Sequence, residues 1–99
     1  MTAPRDCRTM EEIRREIDRL DRDLVALLAA RAAYVTRAGE IKQSADTVRD
    51  PARVEDVLAK VLAAAEAEGV PLEVAEATWR AMVEAFIRYE AKVFAERNG

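Results

Sequence analysis

The sequence predicts an all-α fold of three helices, one long and two shorter, completed by a second copy of the chain as a homodimer. Three observations carry this expectation. Proline and glycine, three of each in 99 residues, divide the chain into three segments rich in Ala, Leu, Glu and Arg, which are strong helix formers. No segment holds a period-2 run of β-branched residues long enough to read as a strand. The first segment also carries an apolar seam longer than the other two segments can cover.

The first segment opens on Thr9-Met10-Glu11-Glu12, a capping box in which a threonine and the glutamate three residues on satisfy unpaired backbone donors. Apolar residues then recur in steps of four and three: Ile13, Ile17, Leu20, Leu24, Leu27, then Tyr34, Ala38 and Ile41. The second segment is expected to start at Asp50 as N-cap with Pro51 at its first helical position, and to end at Gly69. Its apolar residues are Val54, Val57, Leu58, Val61, Leu62 and Ala65. The third begins near Pro71 and places Ala75, Trp79, Met82, Phe86, Val93 and Phe94 on one stripe. Residues 43 to 49 are polar and aperiodic and read as a loop.

At this length one domain is expected, residues 1–99. A helix from Met10 to about Lys42 would be about 50 Å long, whereas a domain of this size has a radius of gyration of about 13 Å. Two shorter helices cannot cover such a rod, so pairing of the long helices in a homodimer is the economical solution.

Composition removes several classes of function. With no histidine, a Ser-His-Asp triad, a Cys-His pair and most zinc chemistry are absent. The single cysteine, Cys7, cannot form an internal disulfide, which points to a reducing, cytoplasmic setting. A net charge of −3 argues against nucleic-acid or anionic-membrane partners. Residues 1–10 lack the apolar core of a targeting segment, and the run Leu24–Ala30 is too short to span a bilayer.

Two charges interrupt the apolar pattern: Arg31 in the seam of the first helix and Glu90 in the stripe of the third. A buried charge needs a partner or a ligand, so these two either pair with other charges or face a substrate. Lys42 lies eleven residues after Arg31, about 20° away around a helix and about 16 Å along it, so both can serve one cavity. The alternative for Lys42 is a solvated lysine at a helix end. Arg53, in the first turn of the second helix, either joins an anion site or pairs with Glu55 or Asp56 in solvent. Arg14 is roughly 26 Å from Arg31 on the same rod, so only the Arg14 of a second, antiparallel copy can reach the same pocket. A small cavity rich in Arg and Lys suits a compact polycarboxylate.

These residues match a family. From Asp6-Cys7 to about Arg97 the chain resembles the all-α chorismate mutases, intertwined homodimers of three helices, and among them the branch that contains the isochorismate pyruvate lyases. The likeness rests on Ile13-Arg14-Arg15-Glu16-Ile17-Asp18-Arg19-Leu20-Asp21, Leu27-Leu28-Ala29-Ala30-Arg31, Gly39-Glu40-Ile41-Lys42 and Arg49-Asp50-Pro51-Ala52-Arg53-Val54. It implies that Arg31 and the other copy's Arg14 clamp the substrate's two carboxylates. Arg53 would also face the ligand, and the backbone near Asp50 would help to shape the pocket. Lys42 would donate to the ether oxygen of the breaking C–O bond, and residues 43 to 49 would act as a lid. Lys42 and Glu90 are thus the candidate catalytic residues, with Arg14, Arg31, Asp50 and Arg53 binding substrate.

The implied reaction, the Claisen rearrangement of chorismate to prephenate, is pericyclic and needs neither nucleophile nor metal, so no cofactor is expected. It asks for a held conformer and for donors aimed at developing charge. Two departures bear on the substrate. Many members of the family have Gln where this chain has Glu90, and a carboxyl group donates only when protonated. Val54 replaces a glutamate that holds the ring hydroxyl of chorismate in typical mutases, which is a feature of the lyase branch. The alternatives are therefore elimination of pyruvate from isochorismate to give salicylate, a mutase for an amino-substituted chorismate, or a non-catalytic helical dimerisation module. The pathway would be aromatic amino acid biosynthesis for a mutase and salicylate biosynthesis for a lyase.

Overall fold

The structure, a computed structural model, describes residues 1–42 and 44–98; Gln43, the first residue of the expected loop, and Gly99 lie outside the described residues. Three helices form: α1 (Met10–Ile41), α2 (Pro51–Glu68) and α3 (Leu72–Asn98). Single 3₁₀ turns at Pro4–Asp6 and Ala45–Thr47 complete the described elements, and no strand occurs among the described residues. The expected helices are thus present close to their expected bounds. The stretch expected to be a plain loop differs, because it contains the turn at Ala45–Thr47 and because Val48 beside it is buried. One apolar side chain in a polar stretch is enough to draw that turn inward.

Two compact units are present, Met1–Tyr34 and Val35–Gly99. In the first, Thr9 caps α1: its hydroxyl accepts the Glu12 N–H at 3.1 Å. The Glu12 carboxylate reaches back to the N–H of Arg8 at 3.3 Å, one residue before the donor that a capping box ordinarily takes. Along the helix Arg15 pairs with Glu11, and Arg19 with both Glu16 and Asp23, at 3.5, 3.1 and 3.6 Å. The seam residues are open within the single chain: Leu24 is 56%, Leu27 67% and Tyr34 80% exposed.

The second unit contains the end of α1 together with α2 and α3. Asp50 caps α2, its side chain accepting the Arg53 N–H at 3.1 Å, and Pro51 occupies the first turn, where no N–H is needed. At the other end Gly69 adopts φ 76°, the left-handed conformation that a side chain disfavours, and Val70 N–H returns to Ala65 O at 2.8 Å. That reversal sends the chain back through Pro71 into α3, which packs against α2. Leu58 and Ala65 of α2 and Ala75 and Val83 of α3 form the core with Val48.

The end of α1 is tied to α3 in three ways. Gly39 is buried against Val93, the Thr36 hydroxyl lies 2.8 Å from that of Tyr89, and Arg97 donates to two carbonyls at the helix end. Tyr89 in turn meets Phe86 edge-on, with ring centroids 6.4 Å apart.

Candidate active site

Glu90 follows Ala75 and Val83 along α3 by steps of eight and seven, so it shares their buried face, and it is 8% exposed. It is the buried charged side chain among the described residues. A carboxylate in such a place needs a counter-charge. Lys42, the residue directly after α1, supplies it: its Nζ forms an ion pair with Glu90 Oε2 and also donates to Thr47 O at 2.9 Å. An ammonium has three N–H donors. Among the described residues this one donates to Thr47 O and is paired in charge with Glu90.

The two candidate catalytic residues are therefore brought together, from the end of one helix and the buried face of another. Glu90 pairs with Lys42, which answers the expectation of a compensating partner. Arg31 lies half-buried on α1 in the first unit. Arg14 is exposed on the same helix, on a surface shared with Glu11, Arg15 and Asp18. Asp50 uses its carboxylate for the helix cap. Arg53 is exposed and donates to Asp56 Oδ2 at 2.7 Å, the solvent pairing that was its alternative reading. Lys60, foremost, and Arg53 hold the Asp56 carboxyl below the usual carboxylate range.

The segment between α1 and α2 carries features that sequence reasoning missed. Arg49 makes two hydrogen bonds to the Glu84 carboxylate of α3, at 2.9 and 2.8 Å. The pair holds the Glu84 carboxyl below its ordinary value. Thr47 contributes a backbone oxygen, which no side-chain pattern reveals. The available signal was Val48, a lone apolar residue between Thr47 and Arg49. Cys7 stays outside the site: partial burial, with Glu12, Glu16 and Asp6 nearby, pushes its thiol up and away from reactivity. Among the described residues no group of three acidic or thiol side chains stands ready to hold a metal ion. Among the described residues no helix is long and apolar enough to cross a membrane.

Three helices, and a half-buried lysine paired with a buried carboxylate, define an all-helical protein with an ion pair at its candidate site. A profile of the family described as chorismate mutase type II matches residues 13–91, and the chain belongs to that family. Over 99 residues it is 30% identical to an isochorismate pyruvate lyase of Pseudomonas aeruginosa, covering 100% of this chain and 98% of that relative. A bifunctional chorismate mutase/prephenate dehydratase of Aquifex aeolicus is 39% identical over 54 residues, which is 54% of this chain and 15% of that protein. Family and relatives together support an enzyme, either an isomerase or a lyase.

Proposed function

We propose that the chain is a chorismate mutase-type pericyclic enzyme that converts chorismate to prephenate as a homodimer, each chain a single domain. The observation that carries this reading is the Lys42 ammonium, seated by Glu90 and Thr47 O. The ammonium is paired with Glu90 and donates to Thr47 O, and as a group of three donors it can also donate to a substrate oxygen. In the rearrangement one C–O bond breaks as one C–C bond forms, and negative charge grows on the ether oxygen. A preorganised donor at that oxygen contributes about 3–4 kcal/mol. Because Lys42 is already held, little reorganisation accompanies the reaction.

Arg31 and the Arg14 of a second copy take the two carboxylates in this proposal. Arg53 exchanges Asp56 for the ligand, and Asp50 fixes the start of α2 so that Arg53 is presented. Holding the enolpyruvyl arm over the ring in this way removes several kcal/mol of the barrier. The second copy is supported by the open row of Leu24, Leu27 and Tyr34, because contiguous apolar surface of this kind marks an interface. A cytoplasmic location accords with the lone cysteine, and the net charge of −3 does not favour nucleic acid.

A second reading, elimination of pyruvate from isochorismate to give salicylate, is favoured by the relative that matches over the full length of the chain and by Val54. Purified protein given chorismate and isochorismate separately, with products identified by chromatography, tests both. Prephenate supports the mutase, and rapid salicylate release from isochorismate supports the lyase. Neither product from either substrate would leave a non-catalytic helical dimer.

A further inference from the structure

We infer that Arg97, in the last turn of α3, is a positioning residue for Lys42; the inference rests on the proposed role of Lys42 at the substrate oxygen. The last turn of α1 has no basic side chain of its own to meet the partial negative charge of its terminal carbonyls. Arg97 supplies that charge from α3. One guanidinium nitrogen donates to Glu40 O and another to Lys42 O, the latter at 2.7 Å. The guanidinium also stands over the Phe94 ring, 4.9 Å from its centroid, which limits its freedom before it meets the carbonyls.

The contact falls on the backbone of the very residue whose side chain bonds Glu90 and Thr47 O. Lys42 is the first residue beyond α1, where a helix ordinarily frays. A flexible four-carbon side chain on a fraying backbone would sample many positions. With its carbonyl held by Arg97 and its ammonium held by Glu90, Lys42 is fixed to α3 at both ends. Arg97 acts through Lys42 and need not touch the substrate.

The test uses the full chain labelled with 13Cε-lysine, whose three lysines, Lys42, Lys60 and Lys92, give three NMR signals, Lys42 being assigned through Lys42→Arg. In Arg97→Gln the Lys42 signal shifts and that of Lys60 does not. On chorismate, kcat falls roughly 10- to 100-fold, as for a misplaced catalytic group. KM changes by less than about twofold, because the lost interaction belongs to the transition state. Arg97→Lys, which keeps the charge but loses the fork, recovers part of kcat. In a Lys42→Ala background Arg97→Gln costs nothing further.

An unmoved Lys42 signal, an unchanged kcat, or the same fold-loss with and without Lys42 overturns the inference. Should Arg97→Gln fail to fold, Arg97→Lys carries the same comparisons. Should Lys42→Ala turn over like wild type, it is the proposed function of Lys42 that fails. The Lys42 signal in the Arg97 variants then still decides whether Arg97 holds that residue.

Discussion

Gly39 of α1 lies so close to Val93 of α3 that a Cβ built on the glycine would stand 2.9 Å from Val93 Cγ1 and 3.2 Å from Glu90 O. The glycine is needed for this approach, which brings the end of α1 against the turn of α3 that carries Glu90. Gly39→Ala would gain roughly 0.5–1 kcal/mol of helix propensity. It would also force apart a β-branched side chain and a backbone carbonyl, neither of which yields easily, at about 1–3 kcal/mol. We expect net destabilisation of about 1–2 kcal/mol in urea unfolding, together with reduced turnover as Lys42 is moved from Glu90. A variant more stable than wild type would show that the two helices relax freely here.

Arg49 and Glu84 make the second connection between the α1–α2 segment and α3. Hydrogen bonding to Arg49, then its charge, lowers the folded-state value of Glu84 from the ordinary 4.5. For a carboxyl lowered in this way the pair's contribution is complete above the unfolded-state value. It declines as pH falls from there through the lower folded-state value. Glu84→Gln should therefore reduce the melting temperature at pH 7 and should converge with wild type in strong acid. A constant difference at all pH values would mean that the pair is irrelevant to the acid response. The side chains are largely open to solvent, so the effect should be smaller than that of Gly39→Ala.

Glu90 is the anchor of Lys42, and Lys42 is the charged group that faces it among the described residues. Glu90→Gln keeps the shape of the side chain and removes the counter-charge, so the ammonium is seated less firmly. Turnover of chorismate should fall in this variant, and Glu90→Ala should cost at least as much. A Gln variant with wild-type turnover would remove the anchoring role.

The seam of α1 predicts an assembly. Sedimentation should give twice the chain mass of 11.0 kDa for the wild type. Replacing both Leu24 and Leu27 by aspartate puts two charges into a row that the dimer would bury, and should give a monomer or an unfolded chain with no activity. A wild-type monomer that turns over substrate would contradict the shared site.

The helices were legible because their ends are marked chemically: Thr9, Asp50-Pro51 and Gly69 each solve a backbone problem that the sequence displays. Glu90 was legible as an interruption in a stripe that needed a partner or a ligand, but that the partner is Lys42 was not. The rest depends on atoms with no pattern of their own. Thr47 contributes a carbonyl, Arg97 reads as one more surface charge in a last turn, and Arg49 finds Glu84 across 35 positions of sequence. Arg53 shows the opposite case, in which a residue singled out for an anion site rests on the acid one turn away. Sequence displays which charges are unusual; packing decides where each finds its partner.

In the proposed reaction the Lys42 ammonium, held by Glu90, donates to the breaking C–O bond. Single-turnover conversion of chorismate by the wild type, Lys42→Ala and Lys42→Arg tests that role. Loss of one preorganised donor should slow the chemical step by about 100- to 1,000-fold in Lys42→Ala, with substrate affinity nearly unchanged and partial recovery in Lys42→Arg. Equal rates in wild type and Lys42→Ala would show that Lys42 is not that donor.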